Sequence, residues 1–330
     1  MFKDKKILFF SANFFGYQTE IKNSLIKLEA HVDFYDERPK NNFWTKAFIR
    51  LDKRIIRRKI EKYYQGIIDE KRQIDYDYVF FLKAEAITIK MLNELRKKQP
   101  KAKFILFMWD SIKNSSKDIE QLIPLFDKIL SFDREDSEKY PCIIFRPLFY
   151  LEDYSLLGNT NSKIEYDISF IGTGHTDRYT LVSQVKDFCV SNGLKGFFFL
   201  YLQDIKVYLI RKLFKKAYRN AHRSDFNFRS LNKDGVLDII KHSNCVLDIQ
   251  RSVQSGLTMR TLEVLGAKKK LITTNKDIVN YDFYDKNNIF VIDRDNITFP
   301  LEFIKGKYHD IDSSIYEKYS INSWLREVFK

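Results

Sequence analysis

Three cysteines, six prolines and eleven glycines are sparse punctuation for a chain of 330 residues. Cys142, Cys189 and Cys245 are odd in number, far apart and set in apolar sequence, which argues against a disulfide framework or a metal cluster. No grouping of His, Cys, Asp and Glu has the spacing of metal ligands, and neither a G-x-S-x-G elbow nor a Walker-type G-K-[ST] occurs. Metallohydrolase, serine hydrolase and P-loop ATPase chemistries are set aside on those grounds. No run of about 18 apolar residues exists, and the charged Met1–Lys6 leads only into the short apolar run Ile7–Phe10. The expectation is a globular protein of a reducing, cytoplasmic compartment, with no export or spanning segment.

Acidic residues are also in short supply: 44 Asp and Glu face 57 Lys and Arg, a formal charge of +13. Two segments hold most of the excess. Trp44–Lys62 carries eight Lys or Arg against Asp52 and Glu61, and Ile205–Arg223 carries seven against none. Both carry Leu, Ile and Phe at helical spacing, so each reads as an amphipathic helix with a cationic face. A solvated face is the plain reading; peripheral contact with an anionic membrane is the alternative, and nucleic acid the third.

What the chain has in quantity is apolar and aromatic residues, 44% and 15% of it, enough to bury two cores. The first half alternates short apolar runs with helical patterns, the mark of parallel strands joined by crossover helices. Strands are expected at Ile7–Ser11, His31–Tyr35, Tyr78–Leu82, Lys103–Met108, Lys128–Phe132 and Ile143–Pro147, with helices at Gln18–Glu29, Ile87–Lys98 and Asp118–Phe126. Leu151–Lys163, with Gly158, Asn159, Thr160, Asn161 and Ser162, reads as a linker. Alternation then restarts with strands at Tyr166–Ile171, Phe197–Leu202, Cys245–Ile249, Leu271–Thr274 and Ile289–Ile292, and helices at Arg178–Ser191, Lys233–His242 and Leu257–Leu265. The expected division is an acceptor domain over 1–155, a donor domain over 156–312, and a C-terminal helix within 313–330 that crosses back to the first. Doubly wound sheets bind ligands at the carboxyl ends of their strands, so a cleft between two of them is where function is sought.

Ser255–Asn275, reading S-G-L-T-M-R-T-L-E-V-L-G-A-K-K-K-L-I-T-T-N, is the most informative segment. Gly256 and Leu257 open a helix whose amino end attracts anions, and a glycine there lets backbone amides approach a phosphate. Thr258 and Arg260 fall in the first turn as donors to a pyrophosphate, and Glu263 lies further along, where a carboxylate accepts from ribose hydroxyls. The plain alternative is a capping Thr258, a solvated Glu263 and ordinary packing. Gly172-Thr173-Gly174, followed by His175 and Arg178, looks like a phosphate-approach loop that lacks the third glycine of a dinucleotide motif. Arg251 and Gln254 in the loop after Cys245–Ile249, and Asn275 after Leu271–Thr274, complete the donor-side candidates.

The Ser255–Asn275 segment resembles the donor-binding element of GT-B glycosyltransferases. Together with Phe107-Met108-Trp109-Asp110-Ser111 and the turn Phe170-Ile171-Gly172-Thr173, it is similar to the CgeB-like group of bacterial polysaccharide and lipopolysaccharide biosynthesis. The resemblance implies two Rossmann-like domains, a nucleoside-diphosphate sugar as donor, no obligatory metal or other cofactor, and Glu263 at the donor ribose. Many retaining enzymes of this architecture carry a Glu eight positions before the ribose-binding one; here that position is Ser255, so a retaining course is unsupported. Inversion requires a general base, which usually comes from the first lobe. Asp110, at the end of Phe104–Met108, is the candidate; Glu85, after Tyr78–Leu82, competes, and either is alternatively a helix N-cap. Asn13 and Tyr17, flanking Gly16, are acceptor-side candidates. The reading is an inverting, metal-independent transfer of a sugar to a cell-surface or lipid-linked glycan, with peripheral membrane contact. The rivals are a basic nucleic-acid-binding protein and an inactive sugar-nucleotide-binding module.

Overall fold

A computed structural model describes residues 1–13, 15–116, 118–160, 162–174, 177–251 and 255–330, with Arg50 described by its backbone alone. The chain divides into two compact units: Met1–Pro147 together with Ile321–Lys330, and Leu148–Ser320.

The first unit is built on strands β1 (Lys6–Ser11), β2 (His31–Asp36), β3 (Tyr78–Leu82), β4 (Lys103–Met108), β5 (Lys128–Ser131) and β6 (Ile143–Phe145). They form one sheet in the order β2-β1-β3-β4-β5-β6. Every pairing is parallel, with Lys6 opposite His31 and Ile7 opposite Tyr78. Covered on both faces, such strands read as continuous apolar runs. Ile7, Leu8, Phe9 and Phe10 are all fully buried, as are Val79, Phe80, Phe81 and Leu82. Helix Arg57–Lys71 covers one face by burying Ile60, Tyr64, Ile67 and Ile68, spaced by turns of the helix.

Helix Ile321–Phe329 belongs to this unit although it closes the chain. It buries Ile321, Trp324, Leu325, Val328 and Phe329. Trp324 meets Phe107 edge-on at 4.8 Å between ring centroids, and Phe329 meets Phe80 at 5.1 Å and Phe2 at 5.4 Å. The expected single helix over Ser313–Phe329 is in fact two, Ser313–Lys318 and Ile321–Phe329. They part where Tyr150 N–H donates to the carbonyl of Tyr319.

The second unit carries β7 (Tyr166–Thr173), β8 (Gly196–Tyr201), β9 (Ser243–Asp248), β10 (Lys270–Thr273) and β11 (Ile289–Val291) in the order β11-β10-β9-β7-β8, again all parallel. The stretch Leu151–Lys163 is not a bare linker: it carries helix Glu152–Gly158, which packs on helix Met259–Gly266. The close approach requires Gly266, because a Cβ there would lie 2.7 Å from the buried ring of Tyr150.

Both basic segments are interrupted helices rather than single ones. The first is helix Phe43–Asp52, a tight turn at Lys53–Ile56 and then Arg57–Lys71, with the Asp52 carboxylate capping the turn. The second is helix Ile205–Phe214 followed by short turns at Lys216–Tyr218 and Arg223–Asp225. Among the described residues, no helix is long and apolar enough to cross a membrane.

Trp324 is fully buried against two strands of the first unit. Trp324→Ala should therefore destabilise that unit by roughly 3–5 kcal/mol. Chemical denaturation that leaves the midpoint unmoved would show that the closing helix contributes little to the core.

Candidate functional site

In each sheet the chain runs outward in one direction from its first strand and then returns to the other side. The reversal lies between β1 and β3 in the first unit and between β7 and β9 in the second. Ligands bind such sheets beyond the carboxyl ends of the strands at this point.

In the second unit, Arg178 bridges the reversal. Its Nε donates to the carbonyl of Ile249 after β9 at 2.7 Å, and its Nη1 to Thr173 Oγ1 at the end of β7 at 3.1 Å. Arg294 donates to the Gln250 carbonyl at 2.6 Å and Thr274 Oγ1 at 3.1 Å, and is ion-paired with Asp177. Arg251 is exposed in the same loop. Burial holds the Arg178 guanidinium below its usual range, opposed by Asp248 and reinforced by Arg251. Among the described residues, Arg178, Arg251 and Arg294 gather here against Asp177 and Asp248, an excess of positive charge.

The helix that opens beside it is Met259–Gly266, with Thr258 as N-cap. The Thr258 hydroxyl accepts from Thr261 N–H at 3.3 Å and donates to Asp248 at 2.6 Å. The Thr261 hydroxyl donates to the same Asp248 oxygen at 2.7 Å, so one buried carboxylate at the end of β9 fixes the helix start. Gly256 and Leu257 are buried at the helix mouth. Asn275 Nδ2 donates to the Ser255 carbonyl at 2.9 Å, pinning the approach to the helix from β10.

Arg260 and Glu263 pair with each other, Nη1 to Oε2 at 2.8 Å, rather than standing apart as separate pyrophosphate and ribose contacts. Glu263 is 3% exposed. Tyr154, from the stretch read as linker, lies against both, and its hydroxyl is raised by burial and then by the Glu263 charge. Gly172 and Thr173, expected in the loop after the strand, are instead the last two residues of β7, while His175 and Gln254 lie outside the described residues.

In the first unit, Asp110 is half exposed after β4 and ion-paired with Lys83, which follows β3. Glu85 is engaged differently: Arg38 Nη2 binds it at 2.6 Å, and its side chain is only 15% exposed. Glu37 at the end of β2 accepts from Glu85 N–H at 2.8 Å, while its other oxygen, Oε1, is buried without a partner among the described residues. Burial, and then the charge of Glu85, push the Glu37 carboxyl up to about 8. Asn13 accepts from Gln18 Nε2 at 2.8 Å, and Tyr17 faces Trp109 at 5.9 Å between ring centroids.

Backbone strain marks the same edge. Lys83 and Ala84 sit at φ 91° and 54°, and Phe15 at 48°, left-handed values costly for side-chain-bearing residues. Lys83 N–H, bonded to the Phe107 carbonyl at 3.0 Å, helps hold the β3 loop there.

The sequence had not singled out Glu37, Arg38, Lys83, Asp248 or Arg294. Asp248 carried a signal, as the one polar residue in the expected strand Cys245–Ile249; the others follow strands whose ends meet only in the fold.

No protein-family model and no curated protein matches the chain. Solved structures do. An α-glucosyltransferase in complex with UDP and a 13-mer DNA is 14% identical, with a TM-score of 0.59 over 98% of this chain and 95% of that one. The trehalose-phosphate synthase (UDP-forming) of Burkholderia xenovorans, in complex with glucose-6-phosphate, is 10% identical with a TM-score of 0.64 over 99% of this chain and 100% of that one. Anabaena HepE in complex with UDP and glucose is 10% identical with a TM-score of 0.58 over 98% of each chain. The fold is that of GT-B glycosyltransferases, α/β with two Rossmann-like parallel-sheet domains.

A buried carboxyl whose folded value is raised contributes stability that is fully present below its unfolded value near 4.5 and gone once the pH has passed through about 8. Across that window Glu37 should cost the native state up to about 1.4 kcal/mol per pH unit. Glu37→Gln keeps an acceptor for Glu85 N–H and should flatten the decline. Identical stability profiles for the two proteins between those limits would show that Glu37 is not held protonated.

Proposed function

We propose that this chain is a glycosyltransferase that takes a sugar from a nucleoside-diphosphate donor held by its second unit. The observation that carries the reading is the convergence of Arg178, Arg251 and Arg294 on the β7/β9 reversal. A diphosphate supplies the negative charge that Asp177 and Asp248 only partly provide. The fold neighbours crystallised with UDP or UDP-glucose support that choice of anion.

The transfer is read as inverting. The Asp110 carboxylate takes the proton of an acceptor hydroxyl as that oxygen bonds to the anomeric carbon. The bond from that carbon to the donor phosphate breaks, and its electron pair leaves with the nucleoside diphosphate. Asp110 is preferred to Glu85 because it is half exposed, whereas Glu85 is locked to Arg38. As charge develops on the leaving phosphate, the arginines and the start of helix Met259–Gly266 stabilise it, the task a metal performs in other designs. No metal or other cofactor is obligatory in this reading. Tyr17 and Trp109 offer aromatic faces on the acceptor side, with Asn13 beside them. The acceptor is a growing cell-surface glycan, lipid-linked at the cytoplasmic face of the membrane, and the enzyme belongs with the CgeB-like group of polysaccharide and lipopolysaccharide biosynthesis.

A panel of nucleoside diphosphates should include one that stabilises the chain by about 2.7 kcal/mol at ~100 times its dissociation constant. Arg251→Ala should weaken that ligand by at least about tenfold without moving the melting temperature of the free protein, since loss of one charge-assisted contact costs roughly 1.5–3 kcal/mol. No stabilisation by any member would remove the donor site.

Asp110→Asn should lower transfer by at least about a hundredfold while nucleotide affinity is kept. A variant that retains most of its activity excludes Asp110 as the base.

A further inference from the structure

Helix Ile205–Phe214 is fastened to the second unit along one side only. Tyr208 is buried, Arg211 donates to the Gly174 carbonyl and to Tyr218 Oη, and Lys212 Nζ donates to the Ala221 carbonyl at 2.9 Å. The other side presents Leu209, Ile210, Leu213 and Phe214, exposed by 56%, 58%, 76% and 73%. Adjacent large apolar side chains at such exposure are unusual on a surface that meets only water. Around them Lys206, Lys215, Lys216 and Arg219 are exposed, and no acid occurs from Ile205 to Arg223.

We infer that this helix lies in the interface of an anionic lipid bilayer, with Leu209, Ile210, Leu213 and Phe214 among the acyl chains and the flanking lysines and Arg219 at the headgroups. The charge pattern selects this occupant. Nucleic acid would neutralise the cations and leave the aliphatic side chains in water. A second copy would set the same positive surface against itself. A bilayer with acidic headgroups satisfies both halves of the face. Because Arg211 and Tyr218 both donate to the Gly174 carbonyl, the anchor is tied directly to the residue that follows β7. Docking therefore brings the edge assigned to the donor close to the membrane surface. The docking itself does not rest on the sugar-transfer reading, so vesicle and nucleotide measurements fail separately.

The test is sedimentation of the full chain with phosphatidylcholine vesicles containing roughly one-third phosphatidylglycerol, against phosphatidylcholine alone. Binding should require the anionic lipid and weaken as salt rises. Leu213→Ser with Phe214→Ser should lower partitioning at least about a hundredfold. Lys215→Ala with Lys216→Ala should lower it about 25-fold. Both pairs are exposed, so melting temperature should not move. The inference is overturned by absence of binding at low salt, or by binding that the Leu213/Phe214 variant keeps. It is also overturned if that variant loses only single-stranded nucleic acid binding, or only a self-association seen by ultracentrifugation.

Discussion

A parallel strand covered on both faces has no place for a charge except at its ends, and the rest of this structure is arranged around that restriction. β1, β3 and β4 are apolar from their second residue through the last but one, and the polar residues gather in the loops that follow them. Asp36, Glu37, Arg38, Lys83, Glu85 and Asp110 all stand at or just beyond the carboxyl ends of strands in one sheet. Thr173, Arg178, Asp248, Arg251, Thr274 and Arg294 stand at or just beyond the carboxyl ends in the other, Arg178 reaching back from the helix after β7. Each sheet thus carries these groups at its carboxyl edge, outside the run of apolar residues in its central strands.

The two edges use that concentration differently. In the first unit the charges lock one another: Arg38 holds Glu85, Glu85 N–H binds Glu37, and Lys53 Nζ reaches the Ile87 carbonyl at 2.8 Å and Asp118 at 2.7 Å. This lattice fixes a loop that includes the left-handed Lys83 and Ala84, and it leaves Asp110 as the more open carboxylate. In the second unit arginines outnumber their carboxylates, and much of their bonding is to backbone carbonyls and hydroxyls. Neutral acceptors orient a guanidinium without cancelling its charge.

The strands were legible in the sequence because burial on both faces leaves a mark that needs no partner: Phe80-Phe81-Leu82 is a strand wherever it pairs. Helices were legible by face and less so at their interruptions. The break at Asp52 depends on one carboxylate capping a turn, and the break near Tyr319 on a hydrogen bond from Tyr150 far away in the chain. The candidate site divides along the same line. Gly256, Thr258, Arg260 and Glu263 were visible because one short segment leads into and through a single helix, and Asp110 because it follows a strand. Arg294 was not, since its meaning comes from Asp177, Gln250 and Thr274, which no spacing rule connects to it. Nor did spacing reveal that Arg260 and Glu263 pair with each other, because an i,i+3 pair and two separate ligand contacts share one sequence pattern.

The positive charge of this chain is of two physical kinds, and the difference bears on how each surface works. Around Arg178 and Arg294 the charge is oriented, half-buried and partly offset by Asp177 and Asp248. The anion of the proposed donor would there exchange partners with a carboxylate, so its net gain is smaller than bare cations would give. Under the proposed sugar transfer, which requires the nucleoside diphosphate to leave after every turnover, that moderation is an advantage. On helix Ile205–Phe214 the cations have no acid within the segment and lie beside exposed apolar side chains. Their attraction is long-ranged, salt-sensitive and indifferent to the detail of the partner. It suits holding a protein at a surface and not selecting a ligand.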